Sequence, residues 1–254
     1  MSDPGDGAQD LARLLSEAFA SGVTLRHAPA NLIPEAPDGA YRIQERLLQL
    51  RGQRTGGWKV GAKSEAGPIQ AAPLPADGIH ASPARLDRAA FCPVGLELEI
   101  AFRFGRAFAP SRQAYSSDEV VGSLASFCAA IEVVSSRFAA WPEVDKLLQL
   151  ADLQNHGAMA TGGFIDYDSD FPFRSPSLQF RFNGDEIATS RSNPAGDPRT
   201  LLTWAVNHCT TRGKRFEEGT IVTTGSYTGI HFVHQAGTAE GRIAGLPSVC
   251  LNLD

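Results

Sequence analysis

Glu97 and Glu99 stand in the run Val94-Gly95-Leu96-Glu97-Leu98-Glu99-Ile100-Ala101-Phe102-Arg103-Phe104. The run alternates apolar and polar residues, the pattern of a β-strand. On a strand, residues two apart share a face, so the two carboxylates lie side by side in an otherwise apolar stretch. Like charges that close in a partly buried site persist only if one takes up a proton or a cation neutralises the pair. A hard divalent ion is the natural counter-charge for carboxylate oxygens. A third acid, Glu132, is alone in the apolar segment Ala129-Ala130-Ile131-Glu132-Val133-Val134-Ser135, which also reads as a strand. A carboxylate among β-branched residues is costly to bury unless it is paired or ligates a metal. The competing reading is that Glu97 and Glu99 decorate the solvent face of an antiparallel strand, as most acids are exposed. Glu132 brings the two readings level.

The elements that must hold these acids can be read from periodicity and punctuation. The chain has 254 residues, enough for one large domain with a substantial core. Residues 1–8, within an acidic and Gly-rich start, read as a disordered tail, and residues 9–55 as a helical portion. Leu11, Leu14, Leu15, Ala18 and Phe19 recur at helical spacing over 9–21. Asp38 is the expected N-cap of a second helix ending near Arg51-Gly52. Residues 56–254 alternate short strands with a few helices, an α+β pattern. Residues 65–90, rich in Ala, Pro and Gly, read as an ordered loop or lid region with short strands. Ser116 and Glu119 form a capping box for a short helix, and a further helix is expected around 143–154. Asn183-Gly184 marks a two-residue hairpin. Asp197-Pro198 opens a helix that Gly213 stops.

Composition narrows the function classes. A formal net charge of −5 points away from nucleic acid and anionic membrane surfaces. No apolar run approaches the roughly 20 residues of a membrane span, and the first residues lack a secretory pattern. Cys92, Cys128, Cys209 and Cys250 are widely spaced with no CxxC, as expected of ordinary thiols in a reducing, cytoplasmic setting. His231 and His234, three apart on an expected strand, fall on opposite faces.

Four pieces occur in one order: Gly57-Trp58-Lys59-Val60-Gly61, Glu97-Leu98-Glu99, Ala130-Ile131-Glu132-Val133-Val134-Ser135-Ser136-Arg137, and Gly219-Thr220-Ile221-Val222-Thr223-Thr224-Gly225-Ser226. Together with Gly196-Asp197-Pro198 and the apolar helix carrying Trp204, they resemble the 2-keto-4-pentenoate hydratase group of the fumarylacetoacetate hydrolase superfamily, over residues 38–253. The resemblance implies a mixed β-roll with surrounding helices and an N-terminal helical portion. It implies Mg²⁺ or Mn²⁺ held by Glu97, Glu99 and Glu132, and a catalytic or substrate-polarising role for Lys59. It departs from the family where Gly61-Ala62-Lys63-Ser64 replaces Gly-Leu-Thr-Ser, which brings a second cation, Lys63, beside Ser64. It departs again where Gln154-Asn155-His156-Gly157 replaces Asp-Asn-Ala-Ser and gains His156. Only Asp77-Gly78 represents the family's Asp-x-Gly.

Three protein oxygens on a six-coordinate ion leave positions that a 2-oxo acid can chelate, with the ion acting as a Lewis acid on the enolate. Lys59 is the candidate proton-transfer group. Burial between Trp58 and Val60 would lower its pKa and nearby carboxylates would raise it; the alternative is a structural ion pair. His156 and His80 titrate near neutrality and are acid–base or substrate-contact candidates, or hydrogen-bonded bystanders. Asp77 could orient a nucleophilic water. Arg137 could bind a substrate carboxylate bidentately or pair with a neighbouring acid. Ser226 and Thr228 lie in a glycine-flanked turn that a ligand can approach closely. These groups suit a lyase that hydrates a 2-hydroxy-2,4-dienoate to a 4-hydroxy-2-oxo acid, as in aromatic compound catabolism. Decarboxylation of a 2-oxo-enedioate, to which Lys63 and His156 would contribute, and C–C hydrolysis of an acylpyruvate are the alternatives on the same metal site. A non-catalytic 2-oxo-acid-binding or partner subunit is a third reading. The resemblance implies a homo-oligomer, with association between related hydratases and decarboxylases.

Overall fold

The computed structural model describes residues 4–254. Five α-helices occur among them: α1 (Pro4–Ser21), α2 (Pro37–Leu50), α3 (Ser117–Val121), α4 (Lys146–Ala151) and α5 (Arg199–Thr210). The strands are β1 (Thr55–Gly61), β2 (Gln70–Pro75), β3 (Ile79–Ala81), β4 (Ala84–Leu86), β5 (Val94–Phe104), β6 (Leu124–Val134) and β7 (His156–Thr161). They continue with β8 (Ile165–Asp166), β9 (Leu178–Phe182), β10 (Asp185–Glu186), β11 (Ile221–Thr223), β12 (His231–Val233), β13 (Gly237–Ile243) and β14 (Val249–Leu253). A mixed nine-stranded sheet has the order β2-β1-β11-β5-β6-β7-β3, with β12 on β5 and β8 on β6; a second sheet has the order β10-β9-β13-β14-β4. This is the α+β, β-roll architecture expected from the sequence.

Antiparallel β5 and β6 form the spine of the large sheet, paired from Gly95↔Val134 to Phe104↔Leu124. Alternation divides their side chains. Leu96, Leu98, Ile100 and Phe102 are fully buried in the main core, together with Phe180, Ile243 and Leu251 of the second sheet. The sheets approach so closely at Gly241 that a Cβ there would lie 2.4 Å from Leu98 Cδ1, so only glycine fits. The odd-numbered residues of β5, Glu97 and Glu99 among them, take the other face. Small residues line that face: Ala101, Cys128 and Ala130 pack with Leu74 and Met159. They leave room beside the carboxylates that larger side chains would fill.

The helical portion packs α1, α2 and α4 into a second core through Leu11, Leu15, Ile43, Leu47 and Leu148, joined by Phe138 and Ala72. Residues 1–3 of the expected tail lie outside the described residues, and from Pro4 onward the chain is helical. Asp38 is not the N-cap of α2. Ala36 occupies that position, and Pro37 starts the helix with its fixed φ and missing N–H. Asp38 instead sits in the first turn, where an acid favours the helix dipole. The capping box at Ser116 and Glu119 is present. Asn183 (φ 52°) and Gly184 (φ 91°) make the β9–β10 hairpin turn. Residues 65–90 contribute β2, β3 and β4 rather than a lid. No helix among the described residues is long and apolar enough to cross a membrane.

Arg137, a substrate-binding candidate in the sequence, has a structural task. Its Nε donates to Asp152 Oδ1 at 2.5 Å, and its Nη1 and Nη2 donate to the carbonyls of His156 (2.8 Å) and Asp152 (2.9 Å). Asp152 Oδ2 also accepts from the Arg137 backbone N–H and the Ser136 hydroxyl. Both residues are buried, so the guanidinium is engaged and ties the end of β6 to the start of β7. Breaking a buried pair leaves an uncompensated charge, which costs about 3–5 kcal/mol. Asp152→Ala is therefore expected to lose about that much in urea unfolding; a loss below about 1 kcal/mol would show that Arg137 has other partners of equal value.

Candidate metal centre and active site

Strand register builds the site. Lys59 on β1 pairs with Thr223 on β11, and Thr223 pairs with Ala101 on β5. Glu97 pairs with Glu132 on β6, and Glu132 with Met159 on β7. Cross-strand partners share a face, so Lys59, Glu97, Glu99 and Glu132 look the same way from three strands. One oxygen from each glutamate lies within 4.8 Å of the others. Glu99 and Glu132 are buried, while Glu97 is partly exposed and forms the mouth. The backbone N–H of Gly225 donates to Glu99 Oε2 at 3.1 Å.

His156 reaches this face through an irregularity. Ala158 pairs with Val133, but His156 pairs with Val134, so Gly157 is extra in the ladder. A bulge of this kind re-aims the next side chain. It turns His156 toward Glu132, whose Oε1 accepts from His156 Nδ1 at 2.8 Å. A Cβ on Gly157 would lie 2.9 Å from the Val133 carbonyl oxygen and 3.0 Å from Phe91 Cδ1. Just upstream, Leu153, Gln154 and Asn155 take φ of 51°, 52° and 58°. Three consecutive non-glycine residues in the left-handed region store strain of order 1–3 kcal/mol each. The same turn brings the Gln154 carbonyl to 3.2 Å from Lys59 Nζ.

Electrostatics follow from the spacing. Lys59 Nζ lies 2.6 Å from Glu132 Oε1. Burial alone would push the Lys59 pKa down, but Glu132, Glu99 and Glu97 outweigh it and raise it. For Glu132, burial is overcome by Lys59 and His156, and the pKa falls. Glu97 is pushed up to about 7 by burial and by the charge of Glu132, against the pull of Lys59 and Ser226. Glu99 is raised well above its usual range by burial and by its two neighbours. Burial lowers the His156 pKa, so the ring is neutral. Its Nδ1–H donates to Glu132, which leaves Nε2 a buried acceptor without a partner among the described residues.

These residues fit a divalent cation. Three carboxylates and one ammonium sum to −2. Two like charges within 4.8 Å repel by at least about 3 kcal/mol at an effective dielectric near 20. Glu132 Oε1 takes both Lys59 and His156, while Oε2 is buried with no partner among the described residues. Metal–oxygen bonds of about 2.1–2.4 Å place two ligand atoms at most about 4.2–4.8 Å apart, so oxygens that all lie within 4.8 Å of one another can share one ion. An all-carboxylate set favours a hard ion.

The other sequence candidates divide. Ser226 joins the carboxylate group beside Glu97. Asp77 and His80 line a separate cavity of about 180 Å³ that shares His156 as a wall. His80 pairs with Ala160, on the sheet face opposite Glu132. Asp77 Oδ2 accepts from Gln53 Nε2 at 2.6 Å. Lys63 opens on another cavity, with Lys146 and Gln154, so it is no close neighbour of the glutamates. Ser64 is exposed in the turn after β1, where its carbonyl accepts from the Gly67 N–H, and it stands in neither group. Sequence reasoning missed the Gly157 bulge and the Gln154 carbonyl. Both arise from non-local packing, and only the departure of Gln154-Asn155-His156-Gly157 from the family pattern hinted at them.

The fold is similar to that of a fumarylacetoacetate hydrolase family protein from Yersinia pestis, and the three glutamates form a group that fits a divalent cation. By sequence the chain is similar to proteins named 2-keto-4-pentenoate hydratase. It is 29% identical to the 2-keto-4-pentenoate hydratase of Burkholderia vietnamiensis over 266 residues, covering 98% of both chains. It is 26% identical to 2-keto-4-pentenoate hydratase 1 of Dechloromonas aromatica, covering 94% of both. No family model matches the chain. Among solved structures, 4-oxalocrotonate decarboxylase from Pseudomonas putida G7, complexed with magnesium and adipate, superposes with a TM-score of 0.86 at 19% identity, covering 98% of each chain. Fumarylpyruvate hydrolase from Pseudomonas aeruginosa, complexed with Mn²⁺ and pyruvate, gives 0.58 at 15% identity over 79% of this chain and 89% of that one. These likenesses establish the fold.

Two outcomes test the centre. Without metal, the folded chain keeps protons on Glu97 and Glu99 that the unfolded chain releases near pH 4.5. The folded state then binds more protons, so stability falls as pH rises toward and through 7. His208, held down to about 4 mainly by burial, and His156, also lowered by burial, act in the opposite sense, and their effect levels off once pH passes the ordinary histidine value of 6.5. The melting temperature of chelator-treated protein should therefore drop between pH 6.5 and 8, and saturating Mn²⁺ should raise it and flatten the slope, because the ion displaces the protons that cause it. A flat profile with no response to Mn²⁺ would refute the centre. Gly157→Ala should cost about 1–3 kcal/mol in urea and weaken Mn²⁺ binding, measured by titration calorimetry, by moving His156 off Glu132.

Proposed function

We propose that the protein is a divalent-metal-dependent lyase, a hydratase that adds water to a 2-hydroxy-2,4-dienoate to give a 4-hydroxy-2-oxo acid. Mg²⁺ or Mn²⁺ at Glu97, Glu99 and Glu132 is the proposed ion. The observation that carries the reading is the Lys59 ammonium 2.6 Å from a glutamate of the carboxylate ring, with a neutral histidine on the same oxygen. Near-full-length likeness to proteins named 2-keto-4-pentenoate hydratase supports it. We place the enzyme in the cytoplasm, in aromatic compound catabolism, as a homo-oligomer that can associate with a related decarboxylase.

When bound, the ion supplies Lewis-acid stabilisation of negative charge on a 2-oxo oxygen. The chain supplies the proton handling. In the net reaction the hydroxyl of one water adds at C4, protons arrive at C5 and C3, and the 2-hydroxyl gives up its proton. Lys59 Nζ holds a proton at the edge of the ring, anchored by Glu132 Oε1 and the Gln154 carbonyl, and serves as donor. His156 Nε2 carries a buried lone pair on the side of Gly78, next to Asp77. It takes the proton of a water that Asp77 orients. Ser226 and the Gly225 N–H hold Glu97 and Glu99 in place.

Decarboxylation of a 2-oxo-enedioate is the second reading. Lys63 and Lys146 favour it, because they share a cavity of about 390 Å³ beside Gln154 and offer two cations to a second carboxylate. Purified protein with Mn²⁺ should bleach the ultraviolet absorbance of a 2-hydroxydienoate without releasing carbon dioxide. Lys59→Met should retain Mn²⁺ yet lose about 10²–10⁴ in kcat, the usual worth of a general acid or base. Unchanged absorbance with dienoates of several chain lengths, or an undiminished rate in the variant, would defeat the proposal.

A further inference from the structure

Thr161, Thr210, Thr223, Thr224 and Thr228 are the buried threonines among the described residues. Four of them donate to backbone carbonyls. Thr161 donates to His80 (3.3 Å), Thr210 to Val206 (3.0 Å), Thr224 to Ile100 (3.3 Å) and Thr228 to Gly229 (3.1 Å). Thr223 is the exception. Its Oγ1 is buried and completes no hydrogen bond among the described residues. A hydroxyl left unpaired in the interior costs free energy that a valine of the same shape would avoid. Packing alone does not call for a hydroxyl at this position.

Strand register places this side chain at the glutamate centre. Thr223 pairs with Lys59 on one side and with Ala101 on the other. It therefore shares the face of Lys59 and of Glu99, which stands two residues before Ala101. The Thr223 hydroxyl is a hydrogen-bonding neighbour of the Glu99 carboxylate, though their contact falls short of a completed bond. The same end of β11 supplies Glu99 with a second partner, the Gly225 N–H at 3.1 Å from Oε2. Lys59 and His156 make their hydrogen bonds to Glu132 instead. Glu99 thus takes its orientation from β11. A β-branched side chain has few rotamers, so the strand fixes where the Thr223 hydroxyl sits.

We propose that Thr223 is a positioning residue of the glutamate centre, whose hydroxyl donates to Glu99 and holds that carboxylate in the orientation that ligates the ion. The proposal rests on the metal-site reading above. Carboxylates that ligate metals are themselves held by hydrogen bonds, and loss of such a partner typically weakens metal binding about 10–100-fold.

Two substitutions separate the hydroxyl from the packing. Thr223→Val removes the hydroxyl and keeps the shape; Thr223→Ser keeps the hydroxyl and removes a methyl group. Titration calorimetry measures the Mn²⁺ affinity of each, and urea unfolding of chelator-treated protein measures stability without the ion. Thr223→Val should bind Mn²⁺ about tenfold or more weakly, with a urea midpoint equal to or above that of wild type. Thr223→Ser should bind Mn²⁺ close to wild type despite a lower midpoint. The pair Thr223→Ser and Thr223→Ala repeats the comparison on an unbranched side chain, so a misfolded valine variant leaves the question answerable. Wild-type affinity in the variants that lack the hydroxyl, or an equal loss in Thr223→Ser, would assign Thr223 to packing and overturn the proposal while the metal site stands. Absence of Mn²⁺ binding by wild type would overturn both.

Discussion

Three carboxylates placed within bonding distance of one another must be neutralised, and most of the site follows from how this chain does it. Lys59 removes one negative charge and is held there by Glu132. The remaining charge of −2 is either protonated, as the raised pKa values of Glu97 and Glu99 indicate, or met by a doubly charged ion. Protons and ion compete for the same oxygens, so the centre's stability and its metal affinity are a single linked equilibrium. Glu132 differs from its two neighbours because Lys59 and His156 both converge on its Oε1. It stays ionised and leaves Oε2 buried without a hydrogen-bond partner among the described residues.

The surrounding fold is rigid where this arrangement demands it. The β5–β6 pair fixes Glu97 opposite Glu132 by register, and the packed face of Leu96, Leu98 and Phe102 prevents a slip. A shift of one residue would exchange the glutamates for core leucines. The β7 side is less regular. There the Gly157 bulge, the left-handed turn before it and the buried Arg137–Asp152 pair together hold His156 and the Gln154 carbonyl on their targets. Strain in the turn is tolerated because Arg137 clamps both its ends, through Asp152 and the His156 carbonyl.

His156 has a further consequence for the chemistry. It forms the wall between the glutamate centre and the cavity that Asp77, His80 and Arg51 line. Nδ1 is turned to Glu132, which sets the proton it holds, while Nε2 is buried on the side of Gly78. A substrate chelated at one end and solvated at the other would meet these two environments in order. That division explains why Lys59 and His156 meet the carboxylates while Asp77 and His80 stand apart from them.

Much of the centre was legible in the linear chain, because a strand's alternation is a local property. Glu97 and Glu99 had to share a face, and Glu132 among β-branched residues had to be compensated. The capping box at Ser116 and the turn at Asn183-Gly184 were equally local and are present. The helix start at Asp38 was misplaced by two residues because Pro37 outcompeted an acidic cap. The sequence by itself determined which side chains could bear charge, and which of them would lie on one surface of one strand. Only the tertiary structure decided that Arg137 pairs with Asp152 rather than a ligand, and that Lys63 and Ser64 stand away from the glutamates. The physical reason is that charge pairing and cavities depend on distances between segments far apart in the chain, and no local periodicity encodes those distances.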